Sequence, residues 1–299
     1  MTRGRRGPSK RMRQPVMPRE DQRGPSAATA RPSSGPEIVR TVLAIAGLDT
    51  GGGAGIAADL LTISAYRHHG APVVASITAQ NTLGIQAVYD LPAEFVARQI
   101  ESVVTDIDVH AVKIGMLGTA RAVEMVASQI DKHDLPCVVL DPVFRATTGA
   151  PLLEKAGIAV MKSVLLPKVL TVTPNMDEAA ALSGLEVDGL DSMKEAARRI
   201  HDLGPRSVVV TGGHLASRAI DVLFDGERFV VYDATRITST GTHGIGCTFS
   251  TAIACQLARG DSIEDAVGGA KRYVMRAVGA PPVRAGKGAA PLNHLVSPF

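Results

Sequence analysis

Residues 42–55 read Val-Leu-Ala-Ile-Ala-Gly-Leu-Asp-Thr-Gly-Gly-Gly-Ala-Gly, an apolar run that ends in a glycine-rich loop. Five apolar residues in succession are typical of a strand that is buried on both faces of a parallel sheet. Five glycines within residues 47–55 let the backbone approach a ligand closely and open the helix that follows. The loop is not a P-loop, because no Gly-Lys-Ser/Thr follows it, and it does not match the GxGxxG dinucleotide-binding register. A flexible turn is the alternative interpretation.

The same alternation of short apolar runs and Ala-rich helical segments continues along the chain from Thr41. The apolar runs are 42–46, 73–78, 111–114, 137–140, 170–173 and 207–210. The helical patterns are 54–68, 92–105, 119–132, 151–163, 176–183, 191–203, 247–258 and 262–278. Repeated β-α alternation predicts an α/β fold with a central, mostly parallel sheet and helices on both faces. Asp225-Gly226 between two further apolar runs predicts a β-hairpin near 219–233, and residues 280–299 are expected to pack as coil.

The charge distribution separates an N-terminal extension from the rest of the chain. Residues 1–40 hold ten Lys and Arg residues against three acidic ones and are rich in Pro, Gly and Ser. Such a segment buries too little apolar surface to offset its ordering entropy, so we predict a disordered basic extension over 1–40 and one domain over 41–299. A solvated extension is favoured over a nucleic-acid-binding tail, so no nucleic-acid partner is expected.

Cysteine usage and hydropathy indicate the compartment. The chain has three cysteines, with no CxxC pair, and no secretory signal is visible. No apolar run approaches the roughly 20 residues that a membrane helix requires. We therefore expect a cytoplasmic protein in a reducing environment with no membrane association.

Polar side chains follow two other predicted strands, where ligands of open α/β sheets bind. Gln80 follows the run 73–78, and its amide suits the edge of a heteroaromatic ring, although a simple turn explains it equally well. Asn175 and Glu178 follow the run 170–173 and lie one helical turn apart. They predict either a hydrated Mg²⁺ site or a capping box that begins the next helix.

The strongest candidate site is Gly241-Thr242-His243-Gly244-Ile245-Gly246-Cys247-Thr248, which leads into an Ala-rich helix. Its last two glycines expose backbone N–H groups at a helix N-terminus, where anions bind and the charge of a transferring phosphoryl group is stabilised. Cys247 begins the helix, so its thiol pKa is expected to be lowered. His214 and His243 lie in strand-end loops and are candidates for ligand contacts, whereas the spacing of the other histidines indicates no zinc site.

Taken together and in this order, eight segments resemble the hydroxymethylpyrimidine/phosphomethylpyrimidine kinases of the ribokinase-like superfamily. The segments are AGLDTGGGAGIAADL, AQNTLGIQAVY, KIGML, VVLDPV, LLP, TPNMDEAAAL, GGH and THGIGCT. The resemblance implies a ribokinase-like fold and phosphorylation of 4-amino-5-hydroxymethyl-2-methylpyrimidine and its monophosphate for thiamin biosynthesis. It also implies ATP and Mg²⁺ as cofactors, a small-molecule substrate and a homodimer.

The resemblance also implies which residues form the site. The pyrimidine pocket would contain Gly47, Asp59, Gln80, Met116, Val143 and Cys247. The anion hole would contain Gly244, Ile245, Gly246 and Cys247. The nucleotide channel would be lined by Thr211, Gly212 and Gly213, with Asn175 and Glu178 ordering Mg²⁺ and Asp141 as a further metal candidate. Cys247, beside the hydroxymethyl group, would accept its proton or orient it.

The chain departs from the family pattern at several of these segments. Thr147 and Thr211 stand where lysines are usual, which weakens the positive charge near the phosphates unless Arg145 compensates. Phe144 replaces a methionine and is expected to narrow the pyrimidine pocket. Two alternatives therefore remain, a pyridoxal-type kinase and a non-catalytic pyrimidine-binding relative.

Overall fold

The structure is a computed structural model that describes Met1 and residues 39–146, 149–213, 218–237, 239 and 241–299. Residues 39–299 form one unit. The predicted disorder of residues 1–40 falls almost entirely outside the described residues, and so do Thr147 and His214. Within the described residues, no helix combines the length and the apolar composition that crossing a bilayer requires.

Eleven strands and eight α-helices are described. The strands are β1 (Thr41–Asp49), β2 (His69–Asn81), β3 (Gly84–Asp90), β4 (Ala111–Ile114), β5 (Val138–Leu140), β6 (Thr171–Val172), β7 (Ser207–Gly212), β8 (Arg218–Phe224), β9 (Phe229–Thr235), β10 (Gly241–His243) and β11 (Ala290–Pro291). The helices are α1 (Gly55–Ala65), α2 (Ala93–Val104), α3 (Ala120–His133), α4 (Lys155–Val160), α5 (Met176–Ser183), α6 (Leu190–His201), α7 (Ile245–Ala258) and α8 (Ile263–Gly279).

Nine strands form one sheet in the order β3-β2-β1-β4-β5-β6-β7-β8-β9. All neighbouring pairs from β2 to β7 are parallel, and β3, β8 and β9 are antiparallel to their neighbours. The predicted mostly parallel α/β fold is confirmed, and β8 and β9 are the predicted hairpin. The sequence analysis missed β3, and it missed that β11 pairs with β10 within the segment expected to be coil.

The side chains of β1 alternate between two hydrophobic cores, one on each face of the sheet. Leu43 and Ile45 pack in the core that includes residues of α2, α3, α5 and α6. Val42 and Ala44 pack in the core that includes residues of α1, α7 and α8. All four side chains are fully buried, which explains why β1 reads as an uninterrupted apolar run.

The strand order places a binding crevice at the carboxyl end of β1. The chain adds β2 on one side of β1 and later adds β4 on the other side. The connections after β1 and after β4 therefore lead away in opposite directions and leave a crevice between them, the usual ligand position in open α/β sheets. The glycine loop after β1 lies at this crevice, so the segment that predicts the fold also lies at the candidate site.

Candidate active site

A cavity of about 670 Å³ lies at the carboxyl ends of the parallel strands. This volume lies within the usual range for small-molecule sites. Most of the site residues predicted from the sequence line this cavity, namely Gly47, Gln80, Met116, Asp141, Val143, Asn175, Glu178, Thr211, Gly213, Gly244, Ile245, Gly246 and Cys247. Their predicted clustering therefore agrees with the structure, while their individual binding roles stay predictions.

The N-terminus of α7 opens into the cavity. Gly244 has φ = 86° and precedes the first helical residue. The first N–H to close a helical bond is that of Thr248, which donates to the Gly244 carbonyl at 2.9 Å. The N–H groups of residues 244–247 therefore have no acceptor within the helix. Together with the positive end of the helix dipole, such N–H groups are suited to binding an anion, and this role stays a prediction.

The loop after β1 is folded around the Asp49 carboxylate. The N–H groups of Gly51, Gly53 and Ala54 donate to it at 2.7, 3.1 and 3.0 Å, and His243 Nε2 lies 3.0 Å from Asp49 Oδ2. Burial alone would raise the pKa of Asp49, but the hydrogen bonds from His243, Gly51 and Gly53 outweigh burial and hold this pKa below its ordinary value. The carboxylate fixes the loop as a cavity wall, a role that the sequence analysis did not assign to Asp49.

The part of the cavity wall next to this loop combines apolar side chains with one amide. Met116 and Val143 contribute apolar surface, and a Cβ on Gly47 would lie 2.9 Å from Met116 Sδ. The absence of a Cβ at Gly47 therefore leaves room for the Met116 side chain in its observed position. The Gln80 amide lies 3.1 Å from Thr78 Oγ1. An apolar wall with one well-placed amide suits a flat heteroaromatic ring.

Cys247 is placed beside the predicted reaction centre, but its thiol differs from the expectation. Burial raises the pKa of the Cys247 thiol to about 12, against the opposing charge of Lys113. The expected lowering of this pKa at the helix N-terminus is therefore wrong, because the loss of water outweighs the favourable charges. The thiol stays protonated at neutral pH, and the Asp141 carboxyl and the Gly55 N–H are among the groups that act on it.

Glu178 and Asn175 form the capping box that begins α5, and they also line the cavity. The Asn175 N–H donates to Glu178 Oε2 and the Glu178 N–H donates to Asn175 Oδ1, both at 2.9 Å. The capping box, one of the two alternatives predicted for these residues, is thus present. Because both residues also line the cavity, the Mg²⁺ site remains a prediction. Burial and the negative charge of Asp141 raise the pKa of Glu178 to about 8.

The structure contradicts the placement of Asp59 in the pyrimidine pocket. Asp59 is fully buried in α1 and does not line the cavity. Lys113 Nζ donates to both of its carboxylate oxygens, at 2.8 and 3.0 Å, and Thr251 Oγ1 donates at 2.7 Å. Lys113 lines the cavity in place of Asp59. A lysine within the apolar run 111–114 was the signal that the sequence analysis did not use.

A second paired lysine lies at the other end of the cavity, near Thr211 and Gly213. Lys271 Nζ in α8 donates to Asp221 Oδ2 at 2.7 Å and to the Ala219 carbonyl at 2.8 Å. The absence of a lysine at position 211 therefore does not remove positive charge from this end of the cavity. Helical periodicity alone gave no reason to select Lys271.

Phe144 does not narrow the pocket as expected. Its side chain is 6% exposed and packs in the core on the α2 and α3 face of the sheet, outside the cavity wall. The neighbouring Arg145 does line the cavity, and its Nη1 donates to the Gly149 carbonyl at 3.2 Å. The hydrophobic core thus accommodates phenylalanine at position 144, where the family pattern has methionine.

Comparison with known proteins identifies the family of this site. A sequence model described as phosphomethylpyrimidine kinase matches residues 49–293, which include every cavity-lining residue after Leu48. The chain belongs to the phosphomethylpyrimidine kinase family. The hydroxymethylpyrimidine/phosphomethylpyrimidine kinase of Streptomyces coelicolor is 44% identical over 253 residues, which cover 85% of this chain and 93% of that protein. The bifunctional thiamine biosynthesis protein of Geobacter sulfurreducens is 44% identical over 86% of this chain, and the chain spans about half (52%) of its length.

Solved structures of the same fold include kinases for two kinds of substrate. The pyridoxal kinase of Bacillus subtilis, solved as an ADP complex, has a TM-score of 0.80 and 35% identity and covers 86% of this chain and 97% of its own. The phosphomethylpyrimidine kinase of Clostridium difficile has a TM-score of 0.72 and 38% identity, with 80% and 99% covered. The ribokinase-like fold and the assignment to a kinase family follow from these similarities.

Proposed function

We propose that this member of the family transfers the γ-phosphoryl group of ATP to the hydroxymethyl group of 4-amino-5-hydroxymethyl-2-methylpyrimidine and then phosphorylates the monophosphate. The observation that carries the proposal is the shared cavity. It joins the free N–H groups of residues 244–247 to the Gln80 amide and the Met116 wall. A phosphate site and an aromatic-ring site are thus open to each other, as in-line transfer between two ligands requires.

The phosphate end supports phosphoryl transfer through fixed donors. Phosphoryl transfer depends mainly on positioning and charge neutralisation, and preorganised N–H groups stabilise charge as it develops. Residues 244–247 supply four such groups, and Lys271 adds a cation near the nucleotide end. Lys113 adds positive charge beside Asp141 and Cys247.

The carboxylates fit a magnesium ion. Glu178 and Asp141 are buried oxygen donors on the cavity wall, and neither has a lysine or arginine ion pair within 4 Å among the described residues. No group of three or more His, Cys, Asp or Glu that would hold a metal alone occurs in the described part. Mg²⁺ is typically held by one or two carboxylates together with substrate phosphates, so this pair would hold it. When bound there, Mg²⁺ would neutralise phosphate charge.

The pKa of Glu178 predicts how binding of the magnesium nucleotide depends on pH. Below about pH 8 the carboxyl is protonated, so cation binding must release its proton. Affinity is expected to rise with pH, by up to about tenfold per unit, until it levels off above pH 8. Titration calorimetry in two buffers of different ionisation enthalpy measures the released proton. Glu178→Gln keeps an acceptor for the Asn175 N–H but should abolish both the release and the pH dependence, and a pH-independent wild-type affinity would contradict the prediction.

Cys247 is predicted to orient the substrate hydroxyl. A protonated thiol keeps sulfur lone pairs that can accept a hydrogen bond from the hydroxymethyl group. Cys247→Ala should lower kcat by a factor of about 100 or more and leave nucleotide affinity nearly unchanged, because the backbone N–H of residue 247 is retained. Cys247→Ser restores a donor and acceptor and should recover part of kcat. Wild-type turnover in the alanine variant would remove Cys247 from the mechanism.

One assay tests the proposed substrate. Purified protein is incubated with ATP, Mg²⁺ and either hydroxymethylpyrimidine, its monophosphate or pyridoxal, and ADP is measured. Production of ADP with the first two compounds is expected. Production of ADP with pyridoxal alone would establish the second candidate instead. Ligand binding without turnover would indicate a non-catalytic relative.

A pyridoxal kinase is kept as the second candidate because of one observation. The pyridoxal kinase of Bacillus subtilis superimposes with the higher TM-score of the two compared structures, 0.80 against 0.72. The identities, 35% and 38%, favour the pyrimidine kinase only slightly. The choice between a pyrimidine and pyridoxal therefore depends on the polar and apolar groups that line the cavity around the ring.

We also propose a homodimer in a reducing cytosol. Ile77 and Tyr89 are paired across β2 and the edge strand β3, and they are 38% and 66% exposed. An exposed apolar pair at the edge of the sheet suits a contact with a second copy of this chain. The three cysteines are free, which suits a reducing compartment. Light scattering should give a dimer mass for the wild type and a monomer mass for Tyr89→Glu; a wild-type monomer would overturn the dimer.

A further inference from the structure

His243 joins three parts of the site. It ends β10 immediately before the anion-binding residues, and its side chain is 17% exposed. Its Nε2 lies 3.0 Å from Asp49 Oδ2 in the glycine loop and 3.4 Å from the Gln80 side-chain amide on β2. A Cβ on Gly53 would lie 2.3 Å from His243 Cδ2, so the loop backbone packs directly against the ring.

One nitrogen cannot satisfy both neighbours as they are placed. Asp49 already accepts three backbone N–H groups and acts as a carboxylate, so His243 Nε2 must carry a hydrogen to donate to it. A protonated Nε2 has no lone pair to accept a hydrogen from the Gln80 amide nitrogen, which faces it at 3.4 Å. The hydrogen bond to Asp49 therefore determines that His243 Nε2 presents a hydrogen, and not a lone pair, to Gln80.

The other end of the Gln80 amide shows the same conflict. Thr78 Oγ1 lies 3.1 Å from the Leu48 carbonyl and 3.1 Å from Gln80 Oε1. A hydroxyl has one hydrogen and both of these neighbours are acceptors, so only one contact can be a hydrogen bond. Half a turn of the amide removes both conflicts. The amide nitrogen then donates to Thr78, Thr78 donates to Leu48, and Nε2–H of His243 is shared between Asp49 and the amide oxygen.

We infer that His243 is a positioning residue that fixes this orientation of the Gln80 amide and thereby selects an aminopyrimidine ring. In the fixed orientation, Gln80 keeps one oxygen lone pair and one N–H free, side by side. An amino group next to a ring nitrogen presents the complementary donor and acceptor. The inference rests on the proposed function, since it names the ring feature that the same site would recognise.

The same geometry explains selection against pyridoxal. Its ring nitrogen has carbon substituents or hydrogens on both neighbouring ring atoms and no adjacent amino group. Only one of the two free groups of Gln80 would then be paired, and an unpaired buried polar group costs affinity. Without the hydrogen bond from His243, the amide could turn freely and the discrimination would decrease.

The experiment compares two substitutions and two ring compounds. His243→Phe keeps an aromatic ring but removes Nε2–H, whereas His243→Gln keeps an N–H donor. The compounds are the aminopyrimidine alcohol and its analogue without the amino group, each assayed for kcat and KM with saturating ATP. The wild type is expected to prefer the amino compound by a factor of about 100 in kcat/KM. In His243→Phe this ratio should fall below about 10 with the KM for ATP changed less than twofold, and His243→Gln should recover most of the ratio.

His68→Phe is the matched control, because His68 is also partly buried and its Nε2 lies 3.0 Å from the Cys255 carbonyl, outside the cavity wall. It should leave the ratio unchanged. Equal weakening of both compounds in His243→Phe would show that the ring only packs the loop and would overturn the inference. If the wild type turns over neither compound, the proposed function fails, and calorimetry without ATP measures the same ratio in binding. A wild type that binds neither compound overturns the inference as well.

Discussion

Gly244→Ala is expected to lower kcat by about 100-fold or more while the protein remains folded. A Cβ at this position would lie 2.0 Å from the Gly53 carbonyl oxygen, which is backbone and cannot rotate away. The residue also has φ = 86°, where an alanine is strained. The glycine loop and the start of α7 must therefore separate, which displaces the N–H groups of residues 244–247 from the cavity. Coupled measurement of ADP release gives kcat, and circular dichroism verifies folding.

Gly260→Ala separates backbone strain from loss of the site. Gly260 follows α7 with φ = 94°, and a Cβ there would meet no atom within 4 Å. Its alanine variant should lose about 1 kcal/mol of stability through strain alone and keep wild-type kcat. A Gly244→Ala protein that turns over at close to the wild-type rate would show that the loop contact does not maintain the phosphate site.

The fold was predictable because its signals are local. The buried parallel strands appear as apolar runs, such as residues 42–46, and glycine-rich or polar segments follow their carboxyl ends. The edge strand β3 carries no such signal. In Gly84–Asp90 five of the seven residues are exposed and the other two are partly exposed, so its pairing with β2 depends on contacts that no apolar pattern reveals. The strand Ala290–Pro291 has only two residues and is too short to give a sequence pattern.

The sequence predicted which residues line the site better than it predicted their pKa values and ion pairs. Gln80, Glu178 and Cys247, which were selected from sequence motifs, line one cavity as expected. The pKa of Cys247 depends on burial, which opposes the helix N-terminus and cannot be read from spacing. Asp59 was placed in the pocket because the family resemblance implies it, but it pairs with Lys113, which is 54 residues away in sequence. Long-range pairing of this kind decides which carboxylates reach a ligand.

The buried pair of Lys113 and Asp59 leads to the second large expected effect, which is on stability. Both side chains are fully buried, with Nζ 2.8 Å from Asp59 Oδ1. Burial alone would lower the pKa of Lys113, but the negative charges of Asp59 and Asp141 outweigh it and raise this pKa above its ordinary value, so the lysine is charged. Lys113→Met leaves Asp59 buried without a cation, which should cost about 3–5 kcal/mol of unfolding free energy. Urea denaturation measures the loss.

A double variant and a surface control distinguish loss of the charge pair from loss of packing. In Lys113→Met with Asp59→Leu, no unpaired charge remains at the pair, so most of the lost stability should return, because apolar replacements of buried pairs are often neutral. Lys168→Met removes an equally short ion pair, 2.6 Å to Asp131, in which the side chains are 26% and 61% exposed. Its cost should stay below about 1 kcal/mol, since solvent screens the charges. If the double variant is as unstable as Lys113→Met, the lysine contributes through packing of its alkyl chain, and the electrostatic account of the Lys113–Asp59 pair is wrong.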